Sequence, residues 1–417
     1  MRSVAWVHVD VAVVGGGPAG AAAAITLARA GRRVAVFDKA TFPRDKCCGD
    51  GITTGALRLL EDLGLDPDTV ASWQPVDDVV LTSPSGHGVT FGLPRGQGTY
   101  AAIARRLDLD AALLDVARAE GVDVRDGHGV SGLEQDRERV TLTVDGLGEV
   151  TASYVVGADG MWSPTRKLAG AGDRGYRGEW HAFRQYFAGV GPRAATDLVV
   201  WFEPDLLPGY AWSFPLPGGR ANVGFGIARD GGKVERVQDM KQLWPDLLAR
   251  PHIAEVLGPD ATPESPHKAW PIPARIDRVT RHLGRVLFAG DAVAADDVLT
   301  GEGIGQALLT GVLAADAVLA AGPERPEVAT TAYDRSVDRH LVTDHRMSTL
   351  LQAALRHRNG ARFAIWLAGA TPWTRHNFAR WLFEDYPRAV VATPRRWRRG
   401  LFTGPGAFRG AGHVAKT

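Results

Sequence analysis

Val9-Asp10-Val11-Ala12-Val13-Val14-Gly15-Gly16-Gly17-Pro18-Ala19-Gly20 is the stretch, residues 9–20, on which the fold turns. Its first half is a β-branched run that suits a buried strand. After the glycines, Ala21–Ala30 is rich in Ala and Leu and predicts a helix closed by Gly31. Val34-Ala35-Val36-Phe37 is a second strand run, ending at Asp38. Strand, glycine turn, helix and strand within about 30 residues is the context that a dinucleotide fingerprint requires. Gly15 permits the tight turn, Gly17 lets backbone approach a pyrophosphate, and Gly20 lets helix and strand pack closely. The phosphates would sit at Pro18 and Ala19, on a helix N-terminus whose unpaired N–H groups favour negative charge. Asp38, with Lys39 beside it, is placed to accept hydrogen bonds from a ribose diol.

The fingerprint does not by itself choose between FAD and NAD. A second match, Gly127-His128-Gly129-Val130-Ser131-Gly132, runs straight into the strand run Val140–Val144 with no helix between, and reads as a turn region. Two later segments are more informative. Val155-Val156-Gly157-Ala158-Asp159-Gly160 ends a strand at an Asp-Gly turn, followed by Ser163 and Arg166. Val286-Leu287-Phe288-Ala289-Gly290-Asp291-Ala292 ends another, and Leu299-Thr300-Gly301-Glu302-Gly303-Ile304-Gly305-Gln306 then enters an Ala/Leu-rich helix running to about Ala320.

On these motifs the chain resembles the flavoproteins of the hydroxybenzoate-hydroxylase fold, and within them the geranylgeranyl reductase family. Phe42-Pro43-Arg44-Asp45-Lys46-Cys47-Cys48-Gly49-Asp50-Gly51 is similar to the family's Lys-x-Cys-Gly-Asp segment. Pro208-Gly209-Tyr210-Ala211-Trp212-Ser213-Phe214-Pro215, continuing to Val223-Gly224-Phe225-Gly226, is similar to its Tyr-x-Trp-x-Phe-Pro…Val-Gly-x-Gly signature. The resemblance, over roughly residues 8–320, implies FAD. It implies cofactor contacts from Arg44, Cys48, Gly49, Asp50, Asp159, Gly160, Arg166 and Gly290, with Asp291 on the ribityl chain. Backbone at Gly301, Glu302, Gly303 and Ile304 would face the flavin pyrimidine ring, where a helix start stabilises negative charge. Cys48, Tyr210 and Trp212 become the candidate catalytic residues. The chain departs from the family pattern at Val298, where Pro is usual, at Gly218-Gly219, near an expected acid, and at Pro208.

Composition is that of an ordinary globular protein: 417 residues, 45% hydrophobic, 23% charged, net charge +1. No global field selects nucleic acid. The 50 glycines stand well above the usual ~7%. Cys47 and Cys48 are adjacent and make no disulfide framework, which suits a reducing cytoplasm. The longest uncharged stretch, Val11–Ala28, is broken by glycines and a proline, so a soluble protein is expected. The scattered histidines lack metal-ligand spacing, and no metal is expected.

The fold class that follows is α/β. A Rossmann-like FAD-binding domain (1–75, 100–175 and 270–325) is interrupted by a mainly antiparallel substrate-binding β-sheet domain (76–99 and 176–269). A helical C-terminal region with a basic tail (326–417) follows, with helices around Tyr333–Arg356 and Ala361–Phe383. The tail's Arg388, Arg395, Arg396, Arg398 and Arg399 read either as a solvated end or as peripheral membrane contact.

With no second fingerprint in strand context, the electron donor is NAD(P)H visiting transiently or a small redox protein. The expected reaction reduces C=C bonds of a prenyl or similar hydrophobic substrate, with a proton from Cys48, Tyr210 or water. The rivals are a monooxygenase or halogenase of the same fold, and a flavoprotein whose FAD is structural.

Overall fold

The computed structural model describes residues 7–229, 237–397 and 401–409, and the tail's Arg398 and Arg399 lie outside them. Among the described residues the strands form two eight-stranded sheets and one of three strands. The first sheet is built on Val7–Val14, which pairs in parallel with Val34–Asp38 on one side and Gly148–Gly157 on the other. Asp123–Asp126 and Val286–Phe288 extend it, also in parallel. Val11–Val14, Val34–Phe37 and Val286–Phe288 are buried on both faces, which is why they read as continuous apolar runs. The hairpin Val130–Gln135 and Val140–Val144 pairs antiparallel onto Gly148–Gly157. The second glycine match leads into this hairpin and is a turn region, as its sequence context implies.

The helix after the fingerprint runs Pro18–Arg29, with Pro18 in its first turn and Gly31 in the left-handed region just past its end. It packs against Ile304–Ala321 so closely that a Cβ on Gly311 would lie 2.1 Å from the Ala19 carbonyl oxygen. Ile304–Ala321 is long and apolar enough to cross a membrane, but 72% of it is buried inside the protein. It is a core helix.

The second sheet carries the strands Trp180–Ala188, Arg220–Ala228, Tyr210–Leu216 and Leu198–Trp201 in that spatial order, antiparallel throughout. Asp78–Thr82 adds to Leu198–Trp201 in parallel, with Gly88–Gly92 outside it. The departure at Gly218-Gly219 has a local cause. Both residues have positive φ, 77° and 66°, in the short turn joining Tyr210–Leu216 to Arg220–Ala228, a conformation glycine adopts without steric cost.

The C-terminal region is helical but more divided than its periodicity predicts. Pro326–Val337 passes through one π turn, Asp338–Val342, into Thr343–Leu355. The second expected helix is two, Arg358–Gly369 and Pro372–Leu382. Pro372 has no N–H to continue a helix and starts a new one, where Thr371 and Thr374 cap each other's backbone. The α/β class with a helical C-terminal region is thus what the structure has.

At the fingerprint, a Cβ on Gly20 would lie 1.8 Å from the Gly15 carbonyl oxygen. Gly20→Ala is therefore expected to cost about 1–3 kcal/mol of stability and to open the turn enough that the purified protein loses its flavin. Thermal unfolding and bound-flavin absorbance measure the two effects; a fully yellow variant with the parental melting temperature contradicts them.

Candidate active site

The three glycine motifs converge on one another. A Cβ on Gly15, whose φ is 106°, would lie 2.3 Å from the Ala158 carbonyl oxygen, and one on Gly290 would lie 3.0 Å from the Ala19 Cβ. The Ala-Asp-Gly and Gly-Asp turns thus abut the fingerprint turn. The helix starting at Pro18 has no side-chain cap and no acid in its first turn. A Cβ on Gly17 would find only Arg44 Nη2 at 3.6 Å and Arg106 Nη2 at 3.7 Å. Asp110 holds both guanidiniums, accepting from Arg106 Nε and Nη2 at 2.7 Å each and pairing with Arg44 Nη1 at 2.9 Å. An open helix N-terminus with two positioned arginines is a cradle for a pyrophosphate. Asp38 accepts the Gly16 and Ala40 N–H groups at 2.7 and 2.8 Å, which fixes its carboxylate and leaves lone pairs for a ribose diol. Lys39 beside it is exposed. These residues fit FAD.

At the other end, Gly303 caps the helix Ile304–Ala321 without a side chain, and the Glu302 carboxylate accepts the Gly305 N–H at 2.9 Å. The loop before it is tied down by Asp297. Its Oδ1 accepts the Leu299 and Thr300 N–H groups at 2.8 Å, and its Oδ2 accepts the Ser348 hydroxyl at 2.8 Å. The Tyr210 hydroxyl donates to the Thr300 carbonyl. The carbonyl of Val298, the position where Pro is usual, accepts from Trp180 Nε1 and Gln352 Nε2 at 2.9 and 2.8 Å. Substrate sheet and C-terminal helices are both bonded to this loop.

Tyr210, Trp212 and Phe214 alternate along one strand and so share a face, with ring centroids 5.9 Å apart at each step. Over them lies the cysteine loop: a Cβ on Gly49 would touch the Phe214 ring at 3.4 Å. A cavity of about 50 Å³ opens between Gly49, the aromatic face, Gly226 and Thr300–Gly301. By volume it takes about four waters, or one substituted alkene unit.

Gly224 does not open space. A Cβ there would lie 2.5 Å from the Trp212 indole, which fills that position. The Trp212 Nε1–H donates to Asn222 Oδ1 at 3.1 Å, and Asn222 Nδ2 donates to the Cys48 carbonyl and to Asp50 Oδ2 at 2.9 and 2.8 Å. The Tyr186 hydroxyl also donates to Asp50, at 2.6 Å.

Charges around the cavity are graded by environment. Burial, reinforced by the Asp50 carboxylate, pushes the Cys48 thiol up to about 11, and burial pushes Cys47 up to about 12. Both are protonated thiols at neutral pH. Burial raises Asp50 to about 6. For Asp291 burial is outweighed by Lys46, whose ammonium sits 2.8 Å from the carboxylate and holds it below the usual range. Asp296 is raised well above that range by burial and by Asp291, and its Oδ1 lies where a Cβ on Gly303 would go. Burial and the Glu384 carboxylate raise Glu302 to about 8.

A model of the FAD binding domain family matches residues 8–315. The chain is 33% identical over 335 residues to a menaquinone reductase of Mycobacterium tuberculosis, which covers 74% of this chain and 76% of that protein. It is 30% identical over 339 residues to digeranylgeranylglycerophospholipid reductase 1 of Methanopyrus kandleri, covering 79% of this chain and 85% of that protein. The chain belongs to the geranylgeranyl reductase family of FAD-dependent oxidoreductases. FAD is its cofactor. A solved geranylgeranyl bacteriochlorophyll reductase-like protein from Thermoplasma acidophilum shares the fold, with a TM-score of 0.77, 19% identity, and coverage of 94% of this chain and 100% of that one.

Within this family member, several residues have duties other than the expected ones. The Asp159 carboxylate accepts from the Ser163 hydroxyl and the Thr165 N–H and caps a short helix. Arg166 donates to the Thr280 and Ala171 carbonyls at 2.6 and 2.9 Å and stacks on Phe288, tying its short helix to two loops and to the strand Val286–Phe288. Asp50 braces the cysteine loop from within. Arg388 is no part of a basic surface: it is buried, 3.5 Å from Glu384 and 3.7 Å from Asp297. Arg396 pairs with Asp344 at 2.7 Å. Sequence reasoning missed Arg106, Asn222, Asp296 and Glu384. The Arg106–Asp110 spacing is a visible i,i+4 pair; the other three carry no local signal.

Because the folded-state value of Glu302 is about 8, above its ordinary 4.5, the group stabilises the fold when protonated. Its contribution is full below the lower value and is lost as pH rises through the higher one. Glu302→Gln, which keeps a neutral side chain at every pH, is expected to lose less melting temperature across this window than the parent. Parallel melting curves contradict the assignment.

Proposed function

We propose that this oxidoreductase reduces C=C bonds of a prenyl or similar hydrophobic substrate, with the alkene held in the cavity between Gly49, Trp212 and Thr300–Gly301. The observation that carries this reading is the composition of that cavity: an aromatic face and glycine backbone, including Gly49 next to Cys48, bordered by Thr300 and Gly301 of the loop before the helix Ile304–Ala321. Similarity to a menaquinone reductase and a digeranylgeranylglycerophospholipid reductase supports the substrate class. In this reading residues 1–75, 100–175 and 270–325 hold FAD, residues 76–99 and 176–269 cover the substrate, and 326–417 buttress the site.

Reduced FAD, when bound, supplies the hydride, and its electrons come from NAD(P)H or a small redox protein. An isolated alkene accepts hydride poorly, so proton delivery carries much of the barrier. Cys48 is the proton donor we favour among Cys48, Tyr210 and water. Its thiol stays protonated, whereas the Tyr210 hydroxyl is already donated to Thr300 and the Trp212 N–H to Asn222. Trp212 and Tyr210 position the substrate face. The free cysteines suit a reducing, cytoplasmic setting.

The test is anaerobic. The yellow protein is prereduced, menaquinone or a digeranylgeranylglycerophospholipid is added, and flavin reoxidation and product mass are followed. Reoxidation with a gain of two hydrogens is expected. Reoxidation only with oxygen, and a gain of oxygen, supports the monooxygenase rival; conversion with the flavin untouched supports a structural cofactor. Cys48→Ala is expected to retain FAD and to slow reoxidation by about 100-fold or more, and an unchanged rate would remove Cys48 as donor.

A further inference from the structure

From His345 to Phe383 the chain contains six arginines, three histidines and no acidic residue. Arg380 is buried against Asp385, whereas Arg346, Arg358, Arg362 and Arg375 are exposed and make no ion pair among the described residues. The same segment holds the largest group of exposed apolar side chains: Leu350 at 68% exposure, Phe363 at 60%, Trp366 at 59%, Leu367 at 49% and Trp373 at 73%. Single exposed apolar residues are ordinary, but a group on three successive helices is not.

The arrangement on Arg358–Gly369 is amphipathic. Ala361, Ile365 and Ala368 are buried, while Arg362, Phe363, Trp366 and Leu367 lie on the exposed side, with the Phe363 and Trp366 rings 5.8 Å apart. The buried side packs into the cluster containing Trp212, Ala182 and Phe383. One helix diameter, about 10 Å, therefore separates the exposed aromatics from the sheet that lines the cavity.

We propose that the outer face of the helices spanning 343–382 docks on a bilayer containing anionic phospholipid. Tryptophan and phenylalanine seat at the headgroup–acyl boundary, and arginine bends its stem so that the guanidinium reaches phosphate. The only acid of these helices, Asp344, is paired with Arg396, so their exposed cations match an anionic surface, and aromatics interleaved with cations are how interfacial helices bind. An acidic protein partner would satisfy the charge but would not call for five dispersed large apolar side chains. This surface is distinct from the basic tail, whose Arg388 and Arg396 are already paired. It does not depend on the reaction proposed above.

The holoenzyme is sedimented with vesicles of phosphatidylcholine alone or of phosphatidylcholine with phosphatidylglycerol. Binding is expected only to the anionic vesicles, weakening as salt rises. Arg362→Gln with Arg375→Gln should weaken it about fivefold per arginine, and Trp366→Ala with Trp373→Ala by tenfold or more. Arg395→Ala, Arg398→Ala and Arg399→Ala together should leave it unchanged. Flavin content and melting temperature are read on every variant, and the exposed positions should not alter them. The proposal is overturned if the parent does not sediment, if the helix variants bind like the parent while the tail variant does not, or if Trp366→Ala instead dissociates a dimer of this chain.

Discussion

The carboxylate of Asp297 is the point at which the parts of this protein are held to one another. One oxygen accepts two backbone N–H groups of its own loop, and the other accepts Ser348 from the C-terminal helices, with Arg388 alongside. That loop, 297–303, carries the Thr300 carbonyl bonded by Tyr210 and the Val298 carbonyl bonded by Trp180. Cofactor helix, substrate sheet and C-terminal region thus meet on a few backbone groups. A buried charge so placed is tolerable because its partners are also buried; removing one member would leave the others uncompensated.

The same economy sets the protonation pattern. Asp296 and Asp297 are neighbours in sequence, yet burial and the adjacent Asp291 raise the first well above the usual carboxylate range, while Arg388 and donated N–H groups outweigh burial and lower the second. Pushing two carboxyls apart in this way separates acid from charge within one loop. Glu384 completes the set. It sits in the left-handed region at φ 56°, a conformation that costs a non-glycine residue on the order of 1 kcal/mol. Gln306, Thr53 and Arg388 hold it there.

Much of the cofactor end is legible in the order of its residues. Gly20 is required by a contact with Gly15 five residues away, and the strand and helix periods around the turn are local. Tyr210, Trp212 and Phe214 share a face because strand side chains alternate. Less legible is what each side chain does once placed. Arg166 also donates to two loop carbonyls, and Asp159 also caps a short helix. The space beside Gly224 is occupied by the indole of Trp212. Arg388 looks like a surface cation and is buried beside Asp297 and Glu384.

By itself, the sequence determined the α/β class, the dinucleotide turn, the order of the three glycine motifs and the family, because each rests on short-range backbone geometry. Only the tertiary structure decided which arginines flank the fingerprint turn, which carboxyls are raised and which lowered, and which aromatics face water. Those properties depend on burial and on partners more than a hundred residues away, as Asn222 is from Cys48, and no local period encodes such distances.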